Sequence, residues 1–133
     1  MFQYSQKLLD HFKNPRNYGR MKNPDGVGRE GNPQCGDVLE LYIKVKNNKI
    51  TDVSFLTFGC IAAIGISSIL TEVVKGKTLE EAKKITSQAL LKEVGEVPSL
   101  KYHCSVLGIQ ALHSAIKDYE SNIKNNLAAK KKK

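Results

Sequence analysis

From Asp37 to Lys46 the chain alternates apolar and polar residues without a break. Leu39, Leu41, Ile43 and Val45 fall on one side of an extended chain, and Glu40, Tyr42, Lys44 and Lys46 on the other. That period of two is the signature of a half-buried strand and excludes an amphipathic helix over the same residues. Asn47-Asn48 follows, a pair that tolerates the left-handed backbone of a tight hairpin turn. Lys49 to Thr57 then supplies a second strand, with Val53 and Phe55 on one face. The sequence predicts an antiparallel hairpin with one wet face and one buried face, and the buried face must be covered by the remaining chain.

The cover is also legible. Behind Cys104 the stripe Ile109, Leu112, Ile116, Tyr119 and Ile123 recurs at spacings of three and four, which predicts a long amphipathic helix lying across the apolar face. A second helix is expected from about Ala62 to Lys75. Its small residues Ala62, Ala63, Gly65, Ser67 and Ser68 allow close approach of a neighbouring backbone, and Gly76 stands where a left-handed cap belongs. Thr78-Leu79-Glu80-Glu81 reads as a capping box, and a further helical piece spans roughly Ser87 to Val94 before Gly95 and Pro98. Tyr4 to Phe12 has helical spacing and stops at Asn14-Pro15; so short a helix is expected to pack as a lid or arm. Residues 14 to 36 read as loop with one extended segment. Within them Gly26-Val27-Gly28-Arg29-Glu30-Gly31 matches G-x-G-x-x-G, but Asn32-Pro33 follows where a dinucleotide site needs a helix. These glycines are read as flexible positions in a twisted edge segment.

A chain of 133 residues suits one domain, taken as residues 1–125, with 126–133 as a flexible basic tail. The net charge of +8 includes four lysines at Lys130 to Lys133, and without them it falls to +4. That excess is too mild to call for nucleic acid. The apolar run from Phe58 to Leu70 is too short and too rich in Gly and Ser to span a bilayer, and the N-terminus lacks the pattern of a secretory signal. Three widely spaced cysteines argue against a disulfide framework and for a reducing compartment, the cytoplasm.

Each cysteine has an address. Cys35 and Asp37 flank Gly36 in an extended approach to the first confident strand, so both can aim at one point. Cys60 sits at a strand-to-helix junction and Cys104 at a loop-to-helix junction, where helix N-termini stabilise thiolates. His103 precedes Cys104 and Lys101 lies three residues upstream. Three thiols, an aspartate and a histidine suit a soft metal such as zinc or iron. Paired C-x-x-C knuckles of structural zinc are missing, and stable iron–sulfur clusters take four cysteines. A fourth position given to oxygen or imidazole weakens the hold, so the set fits transient occupancy better than storage.

Taken together, Asn14-Pro15-Arg16-Asn17-Tyr18-Gly19, Cys35-Gly36-Asp37, Thr57-Phe58-Gly59-Cys60, Thr71 to Lys77 and Lys101-Tyr102-His103-Cys104-Ser105 resemble the U-type iron–sulfur cluster scaffold family, the IscU proteins and the N-terminal module of NifU. The resemblance runs from about residue 4 to 123. It implies an α+β fold, a three-stranded antiparallel sheet packed against several helices with a long C-terminal helix. It implies a non-enzymatic scaffold on which a labile [2Fe–2S] cluster is built from iron and desulfurase-derived sulfur and passed to acceptor apoproteins. Cys35, Asp37, Cys60 and Cys104 would hold the cluster, with His103 an alternative ligand and zinc an alternative occupant of the purified protein. Cys104 would be the persulfide acceptor, assisted by Lys101. Partners so implied are a cysteine desulfurase of the IscS or NifS kind and the acceptors, the scaffold being a monomer or weak homo-oligomer.

The chain departs from Isc-type scaffolds in carrying Val97-Pro98-Ser99-Leu100-Lys101 in place of Leu-Pro-Pro-Val-Lys, which leaves recognition by an Hsp70-type chaperone open. Cys104-Ser105-Val106-Leu107-Gly108 is closer to NifU, although no cysteine follows Cys104 for further cluster domains. The insertion usual in the SufU branch is missing, and His103 is present where that branch lacks it. Two other readings stand beside the scaffold. One is a thiol enzyme with Cys104 as nucleophile, His103 as base and Asp37 orienting it; the other is a zinc-binding interaction or sulfur-acceptor protein working with a desulfurase.

Overall fold

The computed structural model describes residues 4–32, 37–57, 59–97 and 102–131; for Asn32, Asp37 and residues 124–131 it describes the backbone alone. Eight elements follow in order: α1 (Gln6–Lys13), β1 (Gly26–Asn32), β2 (Asp37–Lys46), β3 (Lys49–Thr57), α2 (Ile61–Val74), α3 (Leu79–Lys83), α4 (Ser87–Val94) and α5 (His103–Lys131). The strands form one antiparallel sheet in the order β1-β2-β3. This is the expected α+β architecture, with α5 laid across the sheet and continuing helical to Lys131.

The hairpin has its predicted limits, and Asn47 and Asn48 both take left-handed backbone, φ 53° and 63°. Its register slips between Lys44 and Val45: Lys44 pairs with Asp52, whereas Val45 pairs with Ile50. The extra residue, Thr51, is a bulge, and it brings Ile50 onto the same buried face as Val53 and Phe55. The opposite face is drier than the alternation predicts. Tyr42 is buried there and donates its hydroxyl proton to the Glu40 carboxylate, and burial pushes the phenol's pKa up. Loop residues 17–19 run beside β3, where Phe55 N–H donates to Asn17 O at 3.0 Å and Gly19 N–H to Phe55 O at 2.7 Å. That contact covers an edge that would otherwise offer unpaired backbone groups.

The glycines of β1 are not there for flexibility. A Cβ on Gly28 would lie 2.0 Å from the Ala111 carbonyl oxygen and 2.6 Å from the Ala115 nitrogen; on Gly26 it would lie 2.3 Å from the Ala115 oxygen. Both glycines are buried, and their missing side chains let the α5 backbone rest directly on the strand. Asp118 then accepts the Val27 N–H at 2.9 Å, and Ser114 donates to Glu30. The helix stripe lands as predicted at Ile109, Leu112 and Ile116, joined in the core by Ala111 and Ala115, whereas Tyr119 is only partly buried and Ile123 is exposed.

Nor is α1 a lid. Ser5 caps it, accepting the Leu8 N–H at 3.0 Å while donating to Val94 O at the end of α4, and the Ser5 N–H reaches Glu96 O at 2.8 Å. Leu8 is fully buried over Gly65 of α2, where an added Cβ would meet the leucine Cδ1 at 2.4 Å. Burying that side chain contributes about 1.5–3 kcal/mol, enough to make a helix too short to stand alone part of the core. The capping box at Thr78 and Glu81 forms in both directions, and Gly76 adopts φ +90°.

One buried polar cluster fastens α1 and the following loop to α2. Ser68 Oγ accepts the Arg16 N–H at 2.8 Å and lies 2.7 Å from His11 Nδ1, to which it donates when Nε2 gives its proton to the Glu72 carboxylate. The neutral ring then carries its proton on Nε2, facing Glu72 Oε1 at 3.1 Å. Asn17 donates to Thr71 Oγ1 at 3.0 Å beside it. Burial, and secondarily the Arg16 guanidinium, lower the His11 pKa from its ordinary 6.5, outweighing the pull of Glu72 and Asp10. Ser68, His11 and Glu72 resemble a hydrolytic triad in outline, but Ser68 is fully buried and offers no substrate access.

Two outcomes are expected. Gly28→Ala should cost about 3 kcal/mol, the upper end for overpacking, because its clash is with helix backbone; denaturant unfolding checks this, and a loss under ~0.5 kcal/mol contradicts the close approach. Because the folded His11 pKa is depressed, its contribution is complete above about pH 6.5 and is lost as pH falls below that value toward the folded pKa. Between pH 7.5 and 5.5 the parent should therefore lose more unfolding free energy than His11→Gln, measured by urea titration.

Candidate functional site

The antiparallel arrangement brings β1's end at Asn32, β2's start at Asp37 and β3's end at Thr57 to one end of the sheet. α5 runs antiparallel to β1, since Gly26 lies under Ala115 and Tyr119 while Gly28 lies under Ala111. The helix N-terminus is therefore directed toward that same end. Two of the three cysteine addresses are set by these elements, and the third, Cys35, lies two residues before β2 in the sequence.

Cys60 is the N-cap of α2, in extended conformation (φ −79°, ψ −176°), and its side chain makes no capping hydrogen bond. The turn leading to it is held by one hydroxyl. Thr57 Oγ1 donates to Val38 O at 2.8 Å and accepts the Gly59 N–H at 3.2 Å, so the Cys60 turn is tied to the residue after Asp37. Gly59 is required there, because a Cβ would stand 2.6 Å from that of Ala63. Sequence reading quoted Thr57 only as part of a motif; its role as the bracket depends on register and could not be read from spacing.

Cys104 occupies the first turn of α5, with only 4% of its surface exposed. Ser105 fixes the turn, donating through its hydroxyl to Tyr102 O at 2.7 Å and through its N–H to the same oxygen at 3.1 Å. Both Cys104 and the half-buried Cys60 pack on the margin of the main core. The exposed His103 ring places Nε2 3.7 Å from Cys104 Sγ, so these consecutive residues do meet. Tyr102 and Val106 are exposed, at 47% and 44%, on the side of this first turn away from the core. Neither was singled out by sequence reading, though their spacing of four on one helix face was the available signal.

The remaining expected residues divide. Asp37 opens β2 opposite Asn32, with its backbone alone described. Cys35 and Lys101 lie outside the described residues, as does Pro98-Ser99-Leu100 of the chaperone-motif position. Among the described residues no three His, Cys, Asp or Glu side chains gather closely enough to hold a metal ion. Also among them, no helix is long and apolar enough to cross a membrane. Chemically, two thiols at helix starts and an imidazole in contact with one of them can bind a soft cation or carry sulfur.

Comparison with known proteins gives the family. Residues 3–126 match the model of the NifU-like N terminal domain. The chain is 56% identical over 116 residues to the iron–sulfur cluster assembly scaffold protein IscU 1 of Archaeoglobus fulgidus, covering 87% of this chain and 76% of that protein. It is 48% identical to the scaffold protein IscU of Escherichia coli, over 89% of this chain and 94% of the relative. The crystal structure of a NifU-like N-terminal protein from Brucella abortus superposes with a TM-score of 0.66 over 88% of this chain and 94% of that one; at 23% identity it bears on the fold. The family match spans nearly the whole chain, and the relatives carry it at high identity: this chain belongs to the NifU-like N-terminal domain family, the family of the IscU scaffolds.

Proposed function

We propose that this chain is a scaffold on which an iron–sulfur cluster is assembled and from which it is handed to acceptor proteins. The observation that carries the reading is the convergence of thiol-bearing helix starts on one sheet end, in a chain whose relatives at 45–56% identity are named as such scaffolds. The cluster is cargo, and the protein supplies a place and a ligand set.

In this reading Cys35, Asp37, Cys60 and Cys104 hold a [2Fe–2S] cluster, and His103 exchanges with one of them. Iron enters as the free ion, and zinc occupies the same donors when iron is scarce. Sulfur arrives as a persulfide on a cysteine desulfurase. The Cys104 thiolate attacks the outer sulfur, which gives a persulfide on Cys104 and returns the donor's thiolate. Lys101 steadies that anionic sulfur. A carboxylate among thiolates is a weaker partner for iron, so Asp37 makes the cluster labile enough to leave. The protein has no turnover of its own and works as a monomer or weak homo-oligomer in the reducing cytoplasm, with chaperone assistance left open.

The 3.7 Å contact between His103 and Cys104 also suits a thiol nucleophile with a neighbouring base. That reading gives no task to Cys60, held at its own helix start by the Thr57 bracket, nor to Cys35. A zinc-binding interaction domain would use all three thiols but produce no coloured cluster.

Anaerobic incubation with iron, cysteine and a desulfurase should yield a [2Fe–2S] chromophore with the matching Mössbauer spectrum, abolished when the three cysteines are replaced by serine. No chromophore, or one undiminished in that variant, overturns the scaffold. Asp37→Ala should lengthen the cluster's lifetime several-fold and slow its transfer to an acceptor apoprotein; faster loss contradicts the assigned role of the carboxylate.

A further inference from the structure

The turn that carries Cys60 hangs on a single side-chain oxygen. Thr57 is the last residue of β3 and is only 2% exposed. A hydroxyl has one proton and two lone pairs. The proton goes to Val38 O, 2.8 Å away, because a carbonyl only accepts, and a lone pair takes the Gly59 N–H at 3.2 Å. One atom is thereby bonded to the residue after Asp37 and to the residue before Cys60.

The rest of the turn closes around it. The Cys60 carbonyl lies in the α2 ladder, accepting the Ile64 N–H at 3.0 Å, while the Cys60 side chain makes no capping bond. Backbone therefore decides where the sulfur stands, with the helix ladder on one side and the Thr57 oxygen on the other. On the outer side Tyr18 donates its hydroxyl to Thr57 O at 3.3 Å and sets its ring edge-on to Phe55. A hydroxyl that only closed off the sheet would stop at Val38 O. The second bond, to Gly59, reaches the residue next to the thiol.

We propose that Thr57 is a positioning residue of the metal site: it holds the Cys60 thiol in fixed relation to the start of β2 and so sets how tightly the site grips a soft cation. The inference takes Asp37 and Cys60 as ligands from the scaffold reading and rests on it to that extent. Donors on independently moving segments must be ordered when the metal binds, whereas donors fixed beforehand escape that cost. Threonine suits the task because its branched Cβ restricts the side chain to few rotamers. Loss of the hydroxyl therefore weakens the hold, opposite in sign to loss of the Asp37 carboxylate.

The test compares the full apo chain, Thr57→Val and Thr57→Ser under anaerobic, reducing conditions, with cobalt(II) as the probe. Thr57→Val should weaken cobalt binding about tenfold and alter its thiolate and d–d bands, and Thr57→Ser should restore both. In the metal-free chain, iodoacetamide mapped to each cysteine should modify Cys60 several-fold faster in Thr57→Val, with Cys104 held within about twofold of the parent. Unchanged cobalt affinity, an unchanged Cys60 rate, or Cys60 and Cys104 accelerating together overturns the proposal, the last because it marks loosening of the whole fold. Should Thr57→Val fail to fold, Tyr18→Phe releases the threonine from its exposed side and carries the same comparison: about threefold weaker cobalt binding supports the proposal, and parent affinity overturns it. Neither readout passes through a cluster, so a parent chain that forms no [2Fe–2S] chromophore overturns the scaffold reading alone.

Discussion

The contact on which this fold depends is that of α5 with β1 at Gly26 and Gly28. Side chains normally hold a helix well clear of a sheet, whereas here carbonyl oxygens of Ala111 and Ala115 sit where a strand Cβ would be. The close approach does more than fill the core. It fixes the helix in translation as well as in rotation, because two glycines two residues apart must meet two alanines four residues apart. With that register set, the first turn of α5 reaches the sheet end that Asp37 and Thr57 define. The position of Cys104 is thus a consequence of side chains absent at Gly26 and Gly28, far from it in the sequence.

A second constraint works from the other side. The Thr57 hydroxyl joins β2 to the turn before Cys60, and Ser105 locks the turn around Cys104. Cys60 is an N-cap in position only, since its side chain accepts nothing from the helix.

Much of this was legible in the sequence, for different physical reasons in different places. The hairpin was readable because strict alternation has one structural meaning, and α5 because its stripe repeats over five positions. The bulge at Thr51 was not, since an inserted residue breaks the period by which it would be noticed. The burial of Tyr42 was missed because a phenol on a polar face looks wet until its hydroxyl partner, Glu40, is known. The helix at residues 6–13 was found, but its burial depends on a notch at Gly65 and on His11, a titratable residue that no periodicity marks as core. The glycines of β1 were seen and given the wrong reason, because flexibility and close approach select the same residue. At the candidate site, motif contexts located Cys60 and Cys104 at helix starts, while the convergence of their elements needed the sheet register.

The docking of α1 has a consequence for how the chain comes into being. Its cap is satisfied by Val94 and Glu96, almost ninety residues downstream, and β1 waits for Asp118, ninety-one residues beyond Val27. The first quarter of the chain packs on β2 and α2 but completes its contacts only in the last third. As the polypeptide leaves the ribosome, the three strands, α1 and α2 can associate early, but the cap of α1 and the α5 cover of β1 must wait until synthesis is nearly finished. During that interval the glycine-rich edge and the apolar side of α2 stand uncovered, so the protein's most vulnerable moment falls near the end of its own translation.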